Sequence, residues 1–223
     1  MLGVIPVRDG VLPAGGAETV AECGGRAILA GSAPDTAVAE LGAVATGLQL
    51  AELGDFQPGR WALELAALVA DAGSDADVVV LPASPDGRDL APRLAAELDR
   101  PLLAGAVLVT PTRVHLARAG GLQLHEAHIA GPVVVTLQPG VRGTDPPPTS
   151  SPSEGLPAAE GFRRGIPAGN PPAAANPRMG KMRDAEVVRV LAPDVATMDL
   201  AEATRIIGGG AGLDSAERFR QLQ

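Results

Sequence analysis

The sequence predicts an α/β fold, a three-layer α/β/α domain with a mostly parallel sheet and a β-rich end, over residues 1–142. Three observations carry this. First, Val78–Leu81 is an apolar run rich in β-branched residues, too short for a helix interior and uniform enough to be buried on both faces. Second, Leu90, Leu94 and Leu98 then repeat at i, i+4 and i+8, and apolar sequence returns at Leu102–Val109. Strand, helix and strand of this length make a βαβ unit, which implies parallel pairing under a helical layer. Third, shorter alternations of the same kind fill the preceding 76 residues.

Taken in order, Leu2–Val7 is a short apolar strand stopped by the turn-forming Arg8-Asp9-Gly10. Gly16–Gly25 predicts a short helix with Val20 and Cys23 on one side, and Ala27–Ala30 a second buried strand. Asp35 is placed to cap the next helix, whose buried face is Val38, Leu41 and Val44–Ala45. Leu48–Leu53 is strand-like. Gly59–Ala72 carries Trp61, Leu65, Leu68 and Val69 at helical spacing. In the central unit Pro82–Arg88 reads as a loop, Asp89 as the helix cap and Pro92 as a first-turn proline. Asp89, Arg93 and Glu97 form a charged row beside the leucine stripe. Beyond it, Arg113–Ala117 and Leu122–Ile129 alternate around Gly120-Gly121, a hairpin pattern, and Pro132–Leu137 is one more strand.

Residues 143–180 differ in kind. Pro, Gly, Ser and Ala dominate, as in Pro146-Pro147-Pro148 and Pro171-Pro172, so this stretch reads as a linker or disordered insertion. Over 181–223, Glu186–Leu191 alternates and predicts an added strand. Thr204–Ile207 predicts another, followed by the glycine run 208–212, and Asp214 and Glu217 have capping-box spacing for a last helix.

Composition narrows the function. The 223 residues are 46% hydrophobic but only 2% aromatic, with no tyrosine, so the core is built of Ala, Val, Leu and Ile. A net charge of −8 argues against a nucleic-acid or anionic-membrane surface. One cysteine excludes an internal disulfide framework and fits a reducing compartment. No apolar run approaches the roughly 20 residues that span a bilayer, and the N-terminus lacks a secretory pattern. The expected setting is cytoplasmic, without membrane insertion.

Few residues point to chemistry. A strand, a glycine-rich turn and a helix N-terminus can offer backbone N–H groups to a phosphate, which makes Gly209, Gly210, Ala211 and Gly212 the candidate cofactor-binding residues. The same glycines also suit a plain chain end. Asp86, Arg88 and Asp89 follow a parallel strand at the usual ligand edge. Their simpler reading is a capped helix with a solvated ion pair. His115, His125 and His128 lack metal spacing, since the last two lie three apart in a strand and face opposite ways. Cys23, among alanines, reads as core filler. No catalytic triad, phosphate-loop or zinc pattern is present, so no catalytic or metal residue is assigned.

Three segments carry a family resemblance. GRDLAPRLAAEL (Gly87–Leu98) after an apolar strand resembles a segment of the electron transfer flavoprotein α subunit. VVVTLQPGVRG (Val133–Gly143) is similar to the strand and PG pair near the end of that family's first domain. DLAEATRIIGGGAGLDSAERF (Asp199–Phe219) resembles the opening of its second, FAD-binding domain. The resemblance implies an adenine-nucleotide hydrolase-like sheet topology for the first domain, with residues 181–223 the start of a second domain that is otherwise nearly absent. It also implies an electron carrier rather than an enzyme. FAD would be held in a heterodimer with a β subunit and would take electrons from dehydrogenases. Two departures stand out: the long insertion at 143–180, and Ala211, where the family has an arginine near the flavin pyrophosphate. The chain by itself is therefore expected not to retain FAD. The alternatives are a nucleotide-binding module of universal-stress type, whose phosphate loop would have to be Ala83–Gly87, and a degenerate subunit kept for assembly.

Overall fold

The computed structural model describes residues 1–144 together with Asp184, Ala185, Val188, Arg189, Leu191, Ser215, Glu217 and Arg220. The chain divides into two units, Met1–Val187 and Val188–Gln223. In the second, Glu217 and Arg220 are helical. The predicted strand at Thr204–Ile207 and the glycine run lie outside the described residues; of the strand expected at Glu186–Leu191, the described Val188, Arg189 and Leu191 are not in a strand.

The first unit has the expected α/β fold. Its strands are β1 (Leu2–Val7), β2 (Arg26–Gly31), β3 (Gly47–Glu52), β4 (Val78–Pro82), β5 (Leu102–Val109), β6 (Arg113–Arg118), β7 (Gln123–His128) and β8 (Val133–Leu137). Its helices are α1 (Gly16–Glu22), α2 (Pro34–Leu41), α3 (Pro58–Asp71) and α4 (Pro85–Leu98). The strands join in one sheet in the order β3-β2-β1-β4-β8-β5-β6-β7. All pairs are parallel from β3 across to β5, and β5-β6 and β6-β7 are antiparallel.

Strand parity sorts the core into two faces. Leu2, Val4, Ile28, Ala30, Val79, Leu81 and Val134 point to the α3–α4 side, where Trp61, Leu65, Val69, Leu90 and Leu94 are fully buried against them. The alternate residues Ile5, Val7, Ala27 and Leu29 meet Val20, Ala37 and Leu41 of α1 and α2. Farther along that second face, Val78, Val80, Val133, Val135 and Leu137 form a third cluster with Cys23, Val114 and Leu116. Strands apolar on both faces are what burial between two helical layers requires.

The central βαβ unit contains a surprise. β4 and β5 are parallel but not neighbours, because β8 inserts between them, with Val78–Pro82 in register with Val133–Leu137. The last strand of the domain is therefore one of its most buried, with all five residues buried. Its junction with β5 is irregular, the register shifting between Leu103 and Ala106. Gly105 sits there at φ +78°, and its N–H, which the ladder leaves over, donates to the Thr136 hydroxyl at 3.0 Å. A buried threonine in an otherwise aliphatic strand is thereby explained.

Two helix starts depart from expectation. α4 begins at Pro85, so most of the predicted loop is helix; Ser84, not Asp89, is the cap and accepts from the Gly87 N–H at 3.1 Å. Proline directly after the strand's exit residues is a first-position proline, which the leucine stripe alone does not reveal. Pro92 consequently lies in the third turn, on the exposed side, and brings no N–H to the Arg88 carbonyl. α2 likewise starts one residue before Asp35, at Pro34, and Asp35 makes no side-chain cap. The hairpin forms as predicted, with β6 and β7 in register from Arg113↔His128 to Arg118↔Gln123.

Candidate functional site

Six parallel strands end along one edge of the sheet, where open α/β folds bind ligands. The chain there turns sharply after β1, β2, β3 and β4. Arg8 and Asp9 leave β1, with Asp9 at φ +50° and Gly10 at φ +74°; Ser32 and Ala33 leave β2, Glu52 ends β3, and Ser84 follows β4.

The Arg8 guanidinium and several backbone N–H groups at this edge hold partners from the chain itself. Arg8 forms a two-pronged bond with Asp86, Nε to Oδ2 at 2.5 Å and Nη2 to Oδ1 at 2.6 Å. Its guanidinium also lies 4.4 Å from the centre of the Phe56 ring. Phe56 in turn meets Trp61 edge-to-face at 5.0 Å. A planar cation between a carboxylate fork and an aromatic face is held in one orientation. Glu52 accepts from the N–H groups of Ala33 (3.0 Å) and Gly54 (3.2 Å). The Ser32 hydroxyl accepts from the Asp9 N–H at 2.7 Å. At the start of α3, the Asp184 carboxylate accepts from Gly59 (3.0 Å) and Arg60 (2.7 Å).

Of the sequence candidates, Asp86 is brought into this network. Arg88 and Asp89 are not: both are exposed on α4, and Asp89 pairs at 3.4 Å with Arg93 in the expected i, i+4 manner. Gly209, Gly210, Ala211 and Gly212 lie outside the described residues. Sequence reading treated Arg8-Asp9-Gly10 only as a turn and missed Phe56, Glu52 and Asp184 as edge residues. The available signal was positional, since each of the first three follows a buried strand at its C-terminal end.

The histidines are distributed by strand parity. His115 and His128 share a face with Glu126, whose carboxylate lies 2.8 Å and 3.6 Å from their Nε2 atoms, while His125 sits opposite Leu116 on the other face. The His115 hydrogen bond holds the Glu126 carboxyl below the usual carboxylate range. Arg113 approaches the same carboxylate at 3.6 Å and puts a positive charge where a metal would have to sit. Among the described residues no group of His, Cys, Asp and Glu is arranged to hold a metal. Cys23 is buried at the end of α1, and burial pushes its thiol up to about 12. A thiol so held is packing, not a nucleophile.

A flavin dinucleotide does not fit the described residues. At the ligand edge the Arg8 guanidinium and the N–H groups of Ala33, Gly54, Gly59 and Arg60 are taken by Asp86, Glu52 and Asp184. A separate hollow of about 170 Å³ at the start of α1 is lined by Glu18 and Glu40, carboxylates that repel a pyrophosphate. That volume is also below the ~300 Å³ at which small-molecule sites begin.

The same α1 carries the fastening of the PG segment. Glu18 accepts from the Gly140 N–H at 2.8 Å, and Glu22 joins the Val109 N–H and Arg142, both at 2.8 Å. Gly15, at φ +77°, lies so close to Pro139 that a Cβ there would sit 3.2 Å from the proline's own. No helix among the described residues is long and apolar enough to cross a membrane. A comparison with curated proteins finds no match. The family model described as the electron transfer flavoprotein domain matches residues 17–160, from α1 through the β8 strand and beyond the PG pair. With that match spanning more than half its length, the chain belongs to the electron transfer flavoprotein domain family.

Proposed function

We propose that this chain is an α-type subunit of an electron carrier, the scaffold half of a heterodimer with a β-type subunit. It serves dehydrogenases by handing their electrons onward and does no bond chemistry of its own on a metabolite. The observation that carries this reading is the closed ligand edge. A domain of this family that bound a nucleotide there would have to present free N–H groups or a free guanidinium. Here Arg8 is taken by Asp86 and the α3 N-terminus by Asp184. The same observation weighs against the nucleotide-binding module, whose phosphate loop would be Ala83–Gly87. That stretch instead holds the cap and the first residues of α4, with the Ser84 hydroxyl accepting from the Gly87 N–H.

The FAD of such a carrier belongs, in this reading, to residues beyond the described domain and to the β-type subunit. Ala211 supplies no positive charge in the glycine run, so in this reading the chain contributes little grip on the pyrophosphate. Co-expression with a β-type subunit tests the proposal, with size-exclusion chromatography and light scattering as the readout. A one-to-one complex is expected, and the chain purified alone is expected to be colourless. Failure to associate with a β-type subunit would overturn the carrier reading. A yellow chain with stoichiometric FAD on its own would overturn the scaffold assignment.

A further inference from the structure

Helix α3 lacks a cap of its own. Gln57 precedes Pro58 in an extended conformation and makes no side-chain bond to the first turn. A 14-residue helix that carries the most buried side chains of the α3–α4 face thus begins with unserved N–H groups. The missing acceptor comes from 124 residues away. Asp184 puts one carboxylate oxygen on the Arg60 N–H at 2.7 Å and the other on the Gly59 N–H at 3.0 Å. Its own Oδ1 also takes the Ala185 N–H at 2.8 Å, which fixes the backbone that presents it.

A second observation shows that the seat is fitted to the carboxylate. A Cβ at Gly59 would lie 2.9 Å and 3.1 Å from the two Asp184 oxygens and 3.0 Å from the carbon between them. A 2.9 Å approach is one real Cβ atoms essentially never make, so a side chain at this position would push the carboxylate from its seat, and glycine leaves room for it. The negative charge also lies at the positive end of the helix dipole.

We propose that Asp184 is the N-cap of α3, delivered from beyond the Pro/Gly-rich stretch as a strap. The strap fastens the segment around Asp184–Ala185 to the ligand edge of the α/β domain. Both ends of the intervening sequence are then held by carboxylates. Glu18 and Glu22 fix Gly140 and Arg142 before it, and Asp184 fixes the chain after it. An insertion between strap points can vary in length with little energetic effect, since loop-closure entropy grows slowly with length. That accounts for a family domain tolerating so long an addition here.

Amide hydrogen exchange on the full chain, read by NMR, tests this. In Asp184→Ala the Gly59 and Arg60 amides should exchange about fivefold faster than in the unmodified chain, the effect of losing an ordinary N-cap. Leu65–Val69 should be unchanged. Asp184→Asn should fall between, because asparagine also caps. Gly59→Ala should release Arg60 to the same extent by crowding the carboxylate. Unchanged exchange at both amides in Asp184→Ala would overturn the proposal, and so would a uniform rise throughout α3 and the sheet, which would mark general loosening rather than a lost cap.

Discussion

Leu94→Ala probes the joint on which the domain depends, where α4 lies against α3 and the sheet. Leu94 is fully buried in the cluster that contains Trp61, Leu65, Leu90 and Val134. Truncation to alanine removes about three carbon groups, a transfer loss of roughly 2.4 kcal/mol at ~0.8 kcal/mol each. The neighbours are helices and strands pinned by their own packing, so the hole left behind closes only in part. The added cavity cost brings the expected loss to about 3–4 kcal/mol, within the range of about 2–5 for buried leucines. The assay is urea unfolding followed by fluorescence. Trp61 is the chain's single tryptophan and is fully buried on α3, so the signal reports this domain alone. With a slope near ~2 kcal/mol per molar urea, the midpoint should fall by about 1.5–2 M. A shift smaller than about 0.3 M would mean that α4 is not held by its leucine stripe, and the layered core as drawn would have to be given up.

Gly87→Ala should be still more damaging, by about 3 kcal/mol or more, because the new Cβ would lie 1.9 Å from the Pro82 carbonyl oxygen and the backbone would have to move; a midpoint like that of the unmodified protein would refute the close approach of α4 to β4. Cys23 should resist alkylation in the native state at mildly alkaline pH and react on unfolding, as mass spectrometry would show. Because burial raises its pKa to about 12 from 9.0, the folded state keeps a proton that the unfolded state loses. Stability should therefore decline as pH rises between those values, and Cys23→Ser should remove part of that decline. Carboxyl NMR titration should place Glu126 below the usual range and His115→Ala should return it upward. Its depressed pKa contributes to stability above the unfolded value and the contribution is lost as pH falls through the folded one. An unmoved Glu126 titration in His115→Ala would count against the cross-strand pair.

The fold was largely legible because β1, β2, β4 and β8 are buried on both faces and leave short, uniform apolar runs. Val78–Leu81 and Pro132–Leu137 could hardly be anything else. Periodicity, however, says nothing about sheet order. The insertion of β8 between β4 and β5 is a long-range choice, and no local pattern in Val133–Leu137 encodes which neighbours it takes. Helix starts were misjudged for a local reason. Asp35 and Asp89 are good cap types, but Pro34 and Pro85 claim the first helical position ahead of them. The edge network was nearly invisible. Arg8 and Asp86 are 78 residues apart and meet because β1 and β4 end side by side, while Gly59 and Asp184 are 125 apart and no local pattern at either points to the other.

That separation explains why a charged edge need not be a binding edge. Strand ends in a parallel sheet collect helix N-termini and turn amides whatever the function, and those groups need acceptors. A ligand phosphate is one solution and a carboxylate from the chain is another. The two are distinguished by what the carboxylate costs to remove. A binding edge would lose affinity but keep its stability when an acidic neighbour is deleted, since water or ligand would take the vacated donors. At this edge Asp86 holds a guanidinium packed on Phe56, which stands on the buried Trp61, so the ion pair is joined to the α3–α4 core. Loss of Asp86 leaves Arg8 without its fork over an aromatic that cannot move away. The charge pattern that in isolation resembles a nucleotide site is thus part of what keeps α3, α4 and the strand ends together.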